Sequence, residues 1–308
     1  MKYYVFLLAT TLAGAQSVSS TSTTDFNGNS VAAGSVVSDD GKHTETRQSI
    51  NGRTVPLEQS DERVVSESAN GRVTEKIIRK FDPEGHLVST ARVVTEEQKR
   101  PSGSVVNTTT FRSDINGEMH QDEHKTVEIN THGATTDTNT VIERPTPNGI
   151  QTVEKRTEVS EKSGNNIHSD ETVYRPGQNG EFSAAVRKVT DTTESAGKTV
   201  ENTALYEPIA NVNGLQLSKQ TVTTTSMRPD GSAVVEMNYY GASVPGNVRD
   251  PNAQQQLYEQ DVIDRKLGAG GKVTETLTAR RASMSDPSQL GAPIKVSETV
   301  CTGKCSDR

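Results

Sequence analysis

Nowhere along this chain do apolar residues gather into a helical stripe; where they are ordered, they alternate. In residues 152–159, Val153, Lys155, Thr157 and Val159 share one side, and Thr152, Glu154, Arg156 and Glu158 share the other. From 273 to 280, Val273, Glu275, Leu277 and Ala279 oppose Thr274, Thr276, Thr278 and Arg280, and Ile294, Val296 and Val300 continue the pattern. A period of two predicts strands with one weakly apolar face and one wet face. The doublets Val93-Val94 and Val105-Val106 break the alternation and are the expected places for bulges or alternative registers.

Glycines punctuate these segments at a steady rhythm. Gly85, Gly117, Gly149, Gly180 and Gly214 form one series; Gly71, Gly103, Gly133, Gly164, Gly197 and Gly231 form a second that interleaves with it. Each series repeats about every 32 residues, so a turn arrives about every 16. Many of these glycines follow Asn or Asp, as in Asn70-Gly71, Asn116-Gly117, Asn148-Gly149 and Asp230-Gly231, the chemistry that tight hairpins need. Roughly 12 residues remain per strand, on the order of 40 Å. The predicted fold is all-β: repeated antiparallel β-hairpins with a period of about 32 residues, forming an extended meander or a β-superhelix.

The ends read differently. Lys2 precedes a short apolar run that closes at Ala13-Gly14-Ala15, so residues 1–15 read as a secretory signal cut after Ala15. Residues 16–45, rich in Ser and Thr, read as a flexible leader, with a first weak hairpin near Gly28 or Gly41 as an option. Residues 46–308 read as the hairpin domain, with an enlarged loop near 241–256 and a short helix as one option over 254–264. No later apolar run is long enough for a membrane-spanning helix. Cys301 and Cys305, separated by three residues near the end of an exported chain, read as a structural disulfide.

Composition sharpens this picture. Leu, Ile, Val and Phe make up 60 of 308 residues, low enough to raise disorder as a reading. Against it stand 38 Thr, 32 Val and 11 Ile, which suit a pleated sheet. The formal net charge is −7 with the signs interspersed, so neither a nucleic-acid stripe nor a basic membrane patch is present.

Phe81-Asp82-Pro83-Glu84-Gly85-His86-Leu87 resembles the repeat unit of the Rhs/YD family, and Arg112-Ser113-Asp114-Ile115-Asn116-Gly117-Glu118-Met119 is a looser match. The resemblance implies hairpins wound into an extracellular shell or stalk, with Asp82, Gly85 and Leu87 as turn and packing residues and none of them catalytic. The chain is much shorter than members of that family, lacks their recurring Tyr and carries no toxin-like terminal domain.

Candidate chemistry is sparse. No nucleophile elbow occurs. His120, Asp122 and His124 alternate on one strand, but the two His would stand about 13 Å apart, too far for one ion. Asp114-x-Asn116-Gly117 and Asp39-Asp40-Gly41 share the opening residues of calcium loops without the full ligand set. Glu96-Glu97, Asp122-Glu123 and Asp170-Glu171 are acidic doublets, and few aromatics stand ready to stack a sugar. No catalytic residue, cofactor or metal ligand is therefore assigned. The expected function is a secreted, non-enzymatic structural, adhesive or surface-scaffold protein, released or held in the periplasm or envelope. Its expected partners are a cell-surface or extracellular polymer, or a second copy joined through a sheet face. The alternatives are an extracellular polysaccharide hydrolase or lyase, and an outer-membrane β-barrel, which would need an aromatic-belted, continuous apolar lipid face that five Phe, seven Tyr and no Trp supply poorly.

Overall fold

The computed structural model describes residues 16–25, 30–38, 42–50, 53–209, 213–241, 255–283 and 289–303. They form eighteen strands. The first six are β1 (Gln16–Asp25), β2 (Ser30–Ser38), β3 (His43–Ile50), β4 (Arg53–Ser68), β5 (Gly71–Phe81) and β6 (Leu87–Arg100). The next six are β7 (Gly103–Ser113), β8 (Met119–His132), β9 (Thr135–Thr146), β10 (Gly149–Ser163), β11 (Asn166–Pro176) and β12 (Phe182–Ser195). The last six are β13 (Lys198–Pro208), β14 (Leu215–Met227), β15 (Ala233–Gly241), β16 (Gln256–Leu267), β17 (Val273–Arg281) and β18 (Ile294–Gly303).

Each strand runs antiparallel to the next, as the turn rhythm predicts. In addition β1 pairs with β18, from Ser19 opposite Gly303 to Asp25 opposite Ser297. Every strand therefore has two neighbours, and the meander closes into an up-and-down barrel. Closure satisfies the two rows of backbone N–H and C=O groups that a rod or open superhelix would leave at its edges.

Closure also explains two departures from expectation. The stretch 16–45 is not a flexible leader: it supplies β1, β2 and the start of β3. Its Thr residues suit a strand, and ladders on both sides of β1 and β2 satisfy its backbone. The option of a helix over 254–264 gives way to β16, which is paired along its length with β15 and β17. The enlarged loop falls between Gly241 and Gln256, and its interior, 242–254, lies outside the described residues, as do the signal segment 1–15, Asp39-Asp40-Gly41 and Cys305. The Cys301–Cys305 pairing therefore remains an expectation.

The glycines serve two purposes. Nine of the eleven turn glycines have φ between +59° and +99°, the region where a Cβ is penalised. Gly71 and Gly103 do not. They open β5 and β7, and a Cβ on either would collide with a carbonyl of the next even strand, that of Glu97 or Ile129. The short turns are also stitched to their neighbours: the carbonyls of Asn70, Ser102, Ala134, Asn165 and Gly197 accept from Lys99, Thr131, Lys162, Glu194 and Met227, each two strands on.

Bulges occur, but not at the two valine doublets where they were expected. Val93, Val94, Val105 and Val106 all sit in regular register. The one-residue shifts skip Leu57, Val88, Asp122, Val153, Ala185, Ser218, Tyr258 and Val296, one in each even strand from β4 to β18. All eight lie near the end where odd strands lead into even ones; a ninth, at Val65, lies near the other end. The shift at Val153 separates Thr152, opposite Glu143, from the set it was expected to share with Glu154, which stands opposite Ile142.

The two ends are unlike. Loops from even to odd strands include two-residue turns at 69–70, 101–102, 133–134, 164–165 and 196–197. Loops from odd to even strands are mostly longer, as at 82–86, 114–118, 177–181 and 242–255. An even strand number puts the outer ends of β1 and β18 together at the short-turn end.

Candidate pore and rim

Following cross-strand partners around the ring returns to β1 displaced by about 22 residues, which corresponds to a tilt of about 40° and a backbone diameter of about 36 Å. Barrels of roughly 16 to 18 strands are too wide for their own side chains to fill. Among the described residues only Val55, Val105, Ile142, Ala233, Val273 and Ala279 are buried apolar side chains, so the barrel is a shell around a lumen and has no packed core.

Register carried around the closed ring sorts the side chains into two faces. One holds Val55, Ser60, Thr140, Ile142, Ala233, Val273 and Ala279, seven of the nine buried strand side chains; the other holds Glu75 and Val105. Side chains converge on a concave surface, so the first face is the lumen and the second the exterior.

Both faces are ionic. On the exterior, Arg63 and Arg92 both donate to Glu75, which is 5% exposed, and Arg187 pairs with Asp170 at 2.5 Å. On the lumenal face Arg144 pairs with Glu123 at 2.8 Å, and Arg156 and Arg175 share Glu154 at 2.6 and 3.1 Å. The acidic doublets do not form catalytic pairs: Glu96 and Asp170 face outward while Glu97 and Glu171 face the lumen.

The exterior changes character at the long-loop end. Across each of six consecutive hairpins an aromatic or large apolar residue sits there on the outer face. These are Phe81 opposite Leu87, Phe111 with Met119 beyond it, and Ile150 opposite Pro145. Phe182 opposite Pro176, Tyr206 opposite Leu217 and Tyr240 opposite Leu257 complete the rim. Phe81, Phe111, Tyr206 and Tyr240 each stand directly past a register shift. Cations lie over three of the rings: Arg92 on Phe111 at 5.4 Å, Lys155 on Phe182 at 4.5 Å and Arg187 on Tyr206 at 5.7 Å. Ile115, at the tip of its turn, is 99% exposed, and Leu87, Val88 and Ile150 are more than half exposed. Sequence reading missed this rim, although spacing of about 32 residues among Phe111, Tyr174, Tyr206 and Tyr239–Tyr240 was a usable signal.

The other candidates resolve into turn and strand structure. His124 bonds Thr109 at 3.0 Å and Asp122 bonds Arg112 at 2.6 Å, so His120, Asp122 and His124 do not converge. Asp114, Glu118 and His120 do come within 4.8 Å of one another, all three exposed. There the Asp114 carboxylate accepts the backbone N–H groups of Asn116 and Glu118 at 2.8 and 2.9 Å, closing the turn. The Glu118 N–H first, then that of Asn116 and the His120 ring, hold the Asp114 carboxyl below its ordinary range. A depressed carboxyl contributes stability above its unfolded pKa of about 3.9 and loses it as pH falls through the folded value. Asp114→Ala should therefore flatten the fall of the urea midpoint below about pH 4, while leaving the midpoint's pH dependence near neutrality unchanged.

No family model and no curated protein matches the chain. Solved structures similar to it include the following two. Pseudomonas aeruginosa OccK5 (OpdH) aligns over 93% of this chain and 96% of its own, at 7% identity and a TM-score of 0.46. A porin-like protein from Bacteroides uniformis aligns over 81% of this chain and 98% of its own, at 8% identity and a TM-score of 0.18. Among the described residues no helix is long and apolar enough to cross a membrane, which leaves strand crossing open. The expected secreted scaffold, offering a broad binding face without a pocket, is corrected by closure: among the described residues no sheet edge is free, and the inner face is turned onto a lumen.

Proposed function

We propose that the chain is a hydrophilic β-barrel conduit of the cell envelope, passing small polar solutes along a water-filled lumen. Closure of eighteen strands around an unfilled interior carries this reading. Allowing for side chains, the bore is about 20 Å. An even strand number, short turns at one end and longer loops at the other are also the topology of barrels that cross outer membranes.

A second reading is a barrel that stands in water. The exterior ion pairs at mid-height favour it, because each Arg or Lys at a bilayer midplane costs about 2–4 kcal/mol. A lipid-crossing wall would bury Arg92 and Arg187 with their partners. Planar-bilayer recording of the purified chain separates the two. Discrete ohmic steps, narrowed by polar polymers small enough to enter a bore of about 20 Å, are the expected result. Silent bilayers, together with a folded chain that stays monodisperse without detergent, would replace conduction through lipid with the water-standing barrel.

A further inference from the structure

The geometry points to the long-loop rim as a lipid-docking edge, by which the barrel seats on the headgroup region of a phospholipid bilayer. Phe81, Phe111, Ile150, Phe182, Tyr206 and Tyr240 supply one anchor per hairpin over β5 to β16, all on the exterior and at one height. Half-exposed aromatic rings with a polar or cationic tip suit the boundary between water and acyl chains. Lys155, over the Phe182 ring at 4.5 Å, lies where lipid phosphates would meet it. Below this edge the wall becomes ionic, at Glu75 with Arg63 and Arg92 and at Asp170 with Arg187, so the rim is the part of the exterior that suits the headgroup boundary. Among the described residues the opposite end has no matching band: Val64 and Val65 sit on one part of the ring, and Met227 and Leu267, on another, share the lumenal face with Ala233 and Val273.

The inference takes its envelope setting from the conduit reading, yet the two fail separately. Flotation of the full chain with phosphatidylcholine vesicles, with and without phosphatidylglycerol, is the test. The wild type should float with both, and the variant F81S/F111S/F182S/Y206S should bind at least about tenfold less, since partition scales with buried apolar area. M227S/L267S, at the other end, should float like the wild type. Because the chain has no Trp, Tyr206→Trp reports independently: its emission should shift to the blue on vesicles while strand content by circular dichroism is unchanged. A wild type that stays down, a rim variant that floats equally, or a Trp at 206 that remains water-exposed would each overturn the proposal. So would a chain that dimerises through the rim and ignores vesicles, which would assign the edge to a second copy. Flotation with silent bilayers would sink conduction and leave the docking edge standing.

Discussion

Cysteines placed at Thr23 and Thr299, in a chain whose Cys301 and Cys305 are serine, should join spontaneously and stabilise the barrel by about 2–4 kcal/mol. The two threonines face each other across the seam between the first and last strands, with their hydroxyls 2.9 Å apart. Directly opposed strand residues have Cα atoms about 4.5–5.5 Å apart, within the span a disulfide accepts. The bridge would close a loop of 276 residues, where the loss of unfolded-chain entropy is near its practical maximum. Non-reducing electrophoresis and a rise in melting temperature of roughly 5 °C check it. An open meander holds these residues at opposite edges, so a chain that forms only intermolecular cross-links, or none, would refute closure.

The second large effect is expected at Gly103. Alanine there drives a Cβ into the backbone of Ile129, which cannot swing aside as a side chain can. The strands must separate locally, at about 2–3 kcal/mol or a fall of roughly 4 °C in melting temperature. Gly117→Ala is the control. It has φ of +84° but nothing within 4 Å of the new methyl, so only left-handed strain remains, about 1–2 kcal/mol. If the two substitutions cost the same, or the order is reversed, Gly103 is a turn glycine like the others and the close approach is wrong.

The same pair shows what could be read from sequence. A turn that needs positive φ declares itself locally, through Asn116-Gly117 or Asp230-Gly231, so the hairpins and their rhythm were legible. Gly103 looked like another member of the series because its constraint comes from Ile129, a strand away. Closure was hidden for a related reason. It depends on tilt accumulated over eighteen strands, and no local residue pattern at 16–25 or 294–303 signals that those segments meet. Apolar counting misread 16–45 because it judges a segment by what it can bury, whereas β1 and β2 are held by ladders on both sides. The rim escaped notice because its residues lie about 32 apart and share a face only after the register shifts are known. The absence of an apolar belt at mid-height was legible, and the alternating ions at Glu75, Arg92, Asp170 and Arg187 account for it.

The repeating hairpin also makes the molecule a gauge. Each unit of about 32 residues adds two strands and about 12 Å of circumference, so one unit more or fewer changes the diameter by about 4 Å. Because each short turn is tied only to the hairpin beside it, an added unit would find the same bonds waiting on either side. Tandem duplication within such a gene would therefore yield a ladder of calibres, with the size of the solutes admitted set by copy number rather than by any one side chain.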